Sequence, residues 1–258
     1  MSCSDPPGAV LLLARWRTLT HDSNELSLLG GFVFSVGDDA LLGISAGSQR
    51  LLAFLAVRDR AMTRNHVAGT LWPESTDGHA GASLRSAVSR LRGPARAAVT
   101  VTAADLSLAE GVAVDVHHSQ RLARRLVDRD GARSDGDIGA ASVLALSDDL
   151  LPGWYDDWAV IAAEDWRQLR MHALEAVAAR LTDADRLAEA AAAALAAVRA
   201  EPLRETARAA LIKVHMAQGN QSAAHGEFER YRVLLRAEIG VEPTARLSQL
   251  FQTLEPRL

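Results

Sequence analysis

Apolar positions change their spacing along the chain, and the change separates strand-like from helix-like segments. Over residues 26–36, large apolar residues alternate with smaller or polar ones around Gly30-Gly31, which predicts an extended strand. A second short strand is predicted at 40–44, after the turn residues Gly37-Asp38-Asp39. The spacing then becomes that of amphipathic helices, followed by a β-hairpin. The helices are predicted at 48–58, 64–71 and 80–92, with Ser48 and Thr63 as caps, and the hairpin strands at 99–102 and 106–108.

The third of these helices has one apolar and one polar face. Leu84, Val88 and Leu91 are spaced i, i+4 and i+7, which predicts that they face the core. Strands, three helices and a hairpin in this order are typical of a winged helix-turn-helix, which we expect at 26–111 after a poorly ordered tail at 1–25. Arginine and serine on the outer face suit phosphates and base edges. The predicted DNA-binding residues are Arg85, Ser86, Ser89, Arg90, Arg92 and Arg96, with Arg50 a weaker candidate.

The alternative for this helix is a polar side that only meets water. If it does bind DNA, we assign base contacts to Arg85 and Ser89. Phosphate contacts then fall to Arg90, Arg92 and Arg96.

The amphipathic pattern of residues 112–258 predicts helices almost throughout this segment. The predicted ranges are 115–129, 138–148, 157–181, 185–200, 203–218, 221–239 and 244–254. Ala190, Ala194, Ala197 and Pro202 have the spacing of the second helix of a tetratricopeptide unit. The spacing recurs 34 residues later at Ala224, Phe228 and Tyr231, and a displaced earlier copy is Ala140, Leu144, Ser147 and Pro152. The predicted fold is therefore mostly α: a winged helix-turn-helix (α+β) followed by an all-α, tetratricopeptide-like domain for protein contacts, with a dimerisation bundle as the alternative.

Charge and cysteine content narrow the classes of partner. The net charge is −4, but the first 110 residues are neutral, with ten arginines and ten acidic residues. Within them, residues 78–104 contain four arginines and no acid, which favours phosphate contact through a limited face. Cys3 is the only cysteine, which excludes disulfides and cysteine metal sites. No apolar run reaches the roughly 20 residues of a membrane span, so we expect a soluble, cytoplasmic protein.

Several longer motifs resemble one family of bacterial regulators. Two segments of the second half, 151–158 with 167–174, and 201–205 through 231–232 to 238–243, resemble the bacterial transcriptional activation domain of SARP-type regulators. The first half matches the winged helix of the same family at 29–32, 49–52, 71–73 and 84–92. Two departures are Ser48, where the family commonly has a basic residue, and the neutral charge of the first domain.

This resemblance implies a transcription activator. Such a protein binds direct repeats of double-stranded DNA near a promoter and contacts RNA polymerase holoenzyme, often at secondary-metabolite gene clusters. We further expect a homodimer, at least on DNA. The absence of a Gly-x-x-x-x-Gly-Lys loop favours the short form without an ATPase. The alternative function is a protein–protein adaptor whose winged helix no longer binds DNA.

Other candidate sites are weaker. His117 and His118 point about 100° apart on a helix and no third ligand has suitable spacing, so neither a metal nor a cofactor is expected. Trp154, Tyr155 and Trp158 favour packing over an aromatic ligand cage, and we expect Trp158 and Trp166 to be buried. No nucleophile elbow or dinucleotide motif occurs, which argues against an enzyme.

Overall fold

The computed structural model describes residues 24–128 and 138–254, so the predicted tail and Cys3 lie almost wholly outside the described residues. The chain divides into two compact units. The first contains residues up to His118 together with Asp149–Trp166, and the second contains Ser119–Asp148 and Arg167–Leu258. In the described ranges, no helix is both long and apolar enough to span a bilayer.

A four-stranded sheet opens the first unit. Its strands are β1 (Asn24–Ser27), β2 (Val33–Val36), β3 (Asp39–Ala40) and β7 (Ala113–Val114), in the order β3-β2-β1-β7. The single strand predicted at 26–36 is wrong, because Gly30 and Gly31 have φ angles of 78° and 143° and turn the chain into an antiparallel β1–β2 pair. The strand predicted at 40–44 is shorter than expected, and Leu42 is 90% exposed beyond it.

Three helices follow, as predicted: α1 (Ala46–Arg58), α2 (Arg64–Leu71) and α3 (Asp77–Arg90). Thr63 caps α2, but Ser45 rather than Ser48 caps α1. The Ser48 hydroxyl is instead buried and donates to the Ala87 carbonyl at 2.8 Å, joining α1 to α3. Replacing Ser48 by a basic residue, as is common in the family, would remove this buried hydrogen bond. The serine at this position therefore has a structural role between α1 and α3.

The expected hairpin closes the first helical region. A short helix that the sequence did not predict, α4 (Gly93–Ala97), begins at Gly93-Pro94, because proline suits the first turn of a helix. Strands β5 (Val99–Val101) and β6 (Asp105–Leu108) then pair antiparallel, and β4 (Met62–Thr63) joins the other edge of β6. The wing is therefore a three-stranded sheet in the order β4-β6-β5.

A segment from the predicted helical half packs in the first unit. The amides of Gly30 and Leu151 donate to the carbonyls of Asp149 and Leu28 at 2.8 and 2.9 Å. Trp158 is 3% exposed, and its ring contacts that of Phe54 edge-on, with centroids 5.2 Å apart. The predicted burial of Trp158 and Trp166 is confirmed. Residues 149–166, assigned by sequence to the domain 112–258, thus complete the core of the first unit.

Helices make up the regular structure of the second unit. They are the greater part of α5 (Asp115–Val127), α6 (Ala140–Ala145), the second half of α7 (Asp157–Asp183), α8 (Leu187–Ala200), α9 (Glu205–Ala217), α10 (Gln221–Ile239) and α11 (Ala245–Leu254). Successive helices α8, α9 and α10 pack pairwise, as expected of tetratricopeptide-like pairs. No strand occurs among the residues that the structure describes in this unit.

The repeat positions have different fates. Ala190, Ala194 and Ala197 are fully buried, and Ala224 and Tyr231 are buried at the equivalent places. The predicted earlier copy is wrong. Leu144 is 45% exposed, and α6 has only six residues, so it is too short to present a full repeat face.

A buried ion-pair cluster joins α9 to α10. Glu227 is held by Arg208 and Arg230, and the Arg208 guanidinium lies 5.6 Å from the Tyr231 ring centroid. Tyr231 Oη donates to the Leu203 carbonyl at 3.0 Å. Burial acts to raise the pKa of Glu227, but hydrogen bonds from Arg230 and Arg208 outweigh it and lower that pKa below 4.5.

Asp115 links the sheet to the start of α5. Its carboxylate accepts hydrogen bonds from the amides of Leu28, Leu29 and Val116 at 2.6–3.0 Å. Burial raises the pKa of Asp115 from its ordinary 3.8 to about 6, although these amides and the charge of His117 oppose the shift.

We expect Asp115 to make the protein less stable as the pH rises from about 4 to about 6. In this window the folded chain holds the Asp115 proton more tightly than the unfolded chain, so ionisation favours unfolding. At about 1.36 kcal/mol per pH unit, the full change is roughly 3 kcal/mol. Urea unfolding of the parent and Asp115→Asn across pH 4–7 isolates it, since other groups titrate in both. A pH-independent difference between the two chains would contradict this assignment.

Candidate nucleic-acid interface

Helix α3 presents its inner face much as predicted. Leu84 and Leu91 are buried, but Ala87 rather than Val88 completes the buried row, and Val88 is only half-buried. Arg85, Ser89 and Arg90 are exposed on the outer side, and Ser86 is half-buried. Arg92 and Arg96, beyond the end of α3, are also exposed.

Four of the predicted residues line one depression in the first unit. We call it the arginine depression; its volume is about 240 Å³. It is lined by Arg64, Arg85, Val88, Ser89, Leu91, Arg92 and Arg96. The sequence prediction missed Arg64, the first residue of α2. Little in the sequence indicates this residue, because Arg64 lies on a different helix and its neighbours are apparent only in the folded structure.

Main-chain oxygens hold three of these arginines. Arg64 Nη1 donates to the Thr102 carbonyl at 3.1 Å, and Arg96 Nη1 donates to the Val99 carbonyl at 2.9 Å. Arg92 Nη1 donates to the carbonyls of Leu91, at 3.3 Å, and Ser89. Within the described ranges, no carboxylate forms an ion pair with any arginine of the depression. The hydrogen bonds to the main chain therefore hold the guanidinium groups of Arg64, Arg92 and Arg96 in place without neutralising their charge.

Ser86 and Arg90 do not line the arginine depression. The Ser86 carbonyl accepts a hydrogen bond from the Ser89 hydroxyl at 3.0 Å, which leaves the oxygen of Ser89 free to act only as an acceptor in this rotamer. Arg90 projects from the exposed side of α3 near its last residue.

Arg50 lies at a different site and has a structural role. Its guanidinium pairs with Asp156, donates to the Leu71 carbonyl at 2.6 Å and lies 5.9 Å from the Trp72 ring centroid. The expectation that Arg50 contacts phosphate is therefore not supported by its surroundings, because Asp156 already compensates its charge. The sequence separation of 106 residues hid this partner.

Arg50 lines a second, wider depression of about 800 Å³ beside residues 153–158, which we call the tryptophan loop. Trp154 stacks on Phe32 at 6.2 Å and meets Trp158 edge-on at 6.0 Å, while Tyr155 is 88% exposed. Two of the three aromatic residues thus pack against neighbours, as the sequence favoured. His117 contacts the Ala56 carbonyl at 2.7 Å, and no cluster of potential metal ligands occurs among the described residues.

Comparison with known families bears directly on the second half of the chain. Residues 114–255 match the bacterial transcriptional activator domain. The chain belongs to this family. The resemblance to SARP-type regulators is confirmed, and members of the bacterial transcriptional activator domain family are transcriptional regulators, which are not a class of enzymes.

Similar regulators extend the match into the first half. The regulatory protein AfsR of Streptomyces coelicolor is 32% identical over 232 residues, which cover 84% of this chain and 23% of AfsR. AfsR of Streptomyces griseus is 27% identical over 256 residues, covering 91% of this chain and 25% of that protein. The chain spans about a quarter of the length of these curated relatives.

A solved structure matches the fold. EmbR of Mycobacterium tuberculosis, determined in complex with a low-affinity phosphopeptide, gives a TM-score of 0.61 at 20% identity, covering 90% of this chain and 65% of EmbR. This likeness concerns the fold alone. It confirms the predicted class, a winged helix-turn-helix followed by tetratricopeptide-like helices.

Proposed function

We propose that this member of the bacterial transcriptional activator domain family is a sequence-specific DNA-binding activator. The observation that carries the proposal is the outer side of α3, where exposed Arg85 and Ser89 stand at the arginine depression without an acidic partner in the described ranges. A helix with these side chains suits the major groove, because arginine can bond both acceptors of a guanine edge.

Membership of the family supports a wider proposal. The protein binds direct repeats near a promoter as a homodimer on DNA, and its helical half contacts RNA polymerase holoenzyme in the cytoplasm. Secondary-metabolite genes are the proposed targets. The supporting observation is the similarity to two Streptomyces regulatory proteins.

The proposed function is tested first by selecting bound DNA from a random pool with the full chain, followed by transcription on the selected template with purified polymerase. Enrichment of a repeated sequence and stimulated transcription support an activator. The adaptor alternative instead predicts no enriched sequence and no dependence of binding on salt concentration.

Arg85→Ala is expected to lose about 1–3 kcal/mol of binding free energy on the selected site, and to relax the preference at one base pair. The physical reason is loss of a forked contact to one base edge. Binding is measured by fluorescence anisotropy on the selected and on a scrambled duplex. Arg60→Ala, which removes an exposed arginine that does not line the arginine depression, is the matched control. Equal binding of both duplexes by parent and Arg85→Ala would favour the adaptor.

A further inference from the structure

We propose that the arginine depression is a seat for one phosphate group, and that Arg64 is a phosphate ligand within it. This inference rests on the proposed DNA binding and adds a contact from α2 to those expected from α3. The ligand is a phosphodiester of the DNA backbone, and free inorganic phosphate shares its chemistry.

The size of the depression limits what it can hold. Sites for cofactors and drug-sized ligands typically have volumes of about 300–1,000 Å³. At about 240 Å³ the arginine depression is smaller, which suits a single compact group. Val88 and Leu91 give it apolar walls, next to which an ionic hydrogen bond is stronger than in open water.

Arg64, Arg92 and Arg96 are held in place by hydrogen bonds to the main chain and not by ion pairs with carboxylates in the described ranges. Arg64, Arg92 and Arg96 each use only one terminal nitrogen to donate to main-chain carbonyls, and a guanidinium has five N–H donors in a fixed fork. Each guanidinium therefore keeps its positive charge and has N–H donors left for an anion. Because the hydrogen bond to the main chain already restricts the side chain, less conformational entropy is lost when an anion binds.

Three separate elements meet at this seat. Arg64 begins α2, Arg92 lies between α3 and α4, and Arg96 lies in α4 and donates a hydrogen bond to Val99 in strand β5 of the wing. The Arg64 amide also donates to the Ala104 carbonyl, at 3.0 Å, which ties α2 to the wing turn. A phosphate bound here fixes the position of α3 on the duplex, while Arg85 and Ser89 read bases. Phosphate contacts of this kind position a protein and carry no sequence information themselves.

The test compares Arg64→Ala and Arg64→Lys with Arg60→Ala, on the selected and the scrambled duplex over a range of salt concentrations. We expect Arg64→Ala to weaken both duplexes by the same factor, about ten-fold, since hydrogen bonds to charged groups contribute at least this much. The slope of log Kd against log salt should fall by about one charge. Arg64→Lys should restore the slope, which also shows that the loss does not come from misfolding, and Arg60→Ala should behave as the parent.

Two further arms separate the sources of phosphate. Neutral methylphosphonates placed one at a time along the duplex should identify one position where Arg64→Ala no longer weakens binding, which assigns the seat to that backbone group. Inorganic phosphate and chloride at equal ionic strength should compete equally with DNA. Selective displacement of the parent, but not of Arg64→Ala, by inorganic phosphate would overturn the backbone assignment in favour of a free anion.

Failure of the seat is distinguishable from failure of the proposed function. If Arg64→Ala binds both duplexes as the parent does while Arg85→Ala loses its preference, the protein reads DNA but the seat is overturned. A changed base preference in Arg64→Ala also overturns it, because Arg64 would then read a base. If the parent selects no DNA sequence, the proposed function falls, and the seat falls with it.

Discussion

Trp158→Ala is expected to lower the free energy of unfolding by about 3–5 kcal/mol, the usual cost of removing a buried tryptophan. The indole is 3% exposed and meets Phe54 at 5.2 Å and Trp154 at 6.0 Å, both edge-on. Its loss removes apolar contacts from α1 and from the tryptophan loop together and leaves a cavity between them. Urea unfolding followed by circular dichroism measures the change without relying on tryptophan fluorescence.

Two variants sharpen this test. Trp158 Nε1 has no hydrogen-bond partner among the described residues, so Trp158→Phe loses only packing, about 1–2 kcal/mol. Tyr155→Ala, an aromatic neighbour that is 88% exposed, should change stability by less than about 0.5 kcal/mol. A negligible effect of Trp158→Ala would revive the aromatic-cage interpretation of this loop.

Glu227→Ala is expected to cost about 3–5 kcal/mol in the second unit, because it leaves the buried Arg208 guanidinium without its counter-charge. The Glu227 side chain is 5% exposed and bridges Arg208 and Arg230. Since the pKa of Glu227 is lowered, its contribution is present at neutral pH and is lost as the pH falls below about 4.5. Thermal unfolding at pH 7 and at pH 4 should therefore show a smaller difference from the parent at pH 4.

Helix α10 also supplies the matched control. Glu229 pairs with Arg232 one turn away at the surface, with both side chains over one-third exposed, so Glu229→Ala should cost less than about 1 kcal/mol. The double variant Glu227→Ala with Arg208→Ala should recover part of the loss, because no buried charge is left alone. Equal effects of Glu227→Ala and Glu229→Ala would mean that the Glu227 cluster is no more buried in solution than a surface pair.

Local signals in the sequence were sufficient where one residue decides the structure. Thr63 lies directly before a helix-forming run and caps α2, and α10 has the predicted bounds of 221–239, between an asparagine cap and a left-handed Gly240. Ser45 and Ser48 are both good caps three residues apart, so spacing alone could not choose between them. Only the buried bond from Ser48 to Ala87 decides against Ser48.

Long-range partners were beyond the reach of local signals. The outer face of α3 follows from its periodicity, and Arg85 and Ser89 on that face line the arginine depression together with Arg92 and Arg96 beyond the end of the helix. Arg64 belongs to the same depression because the wing turn folds beside α2, whereas Arg50 lies elsewhere and pairs with Asp156. The wing turn is more than thirty-five residues from Arg64, and Asp156 is more than thirty-five residues from Arg50. Helical or strand periodicity carries no information about contacts at such separations.

The return of the chain to the first unit at 149–166 has a consequence for synthesis. A ribosome adds about 5–20 residues each second, so the 48 residues from His118 to Trp166 take about 2–10 s. Until Trp158 has been made, the nascent winged helix lacks this side chain, and Phe54 lacks its contact with the indole. A nascent chain that has not reached Trp158, or a fragment that ends at residue 111, therefore contains α3 in a domain whose hydrophobic core is incomplete. The first unit, which carries the proposed DNA-binding surface, is complete only after the residues of α6 and most of α5, which belong to the second unit, have been made.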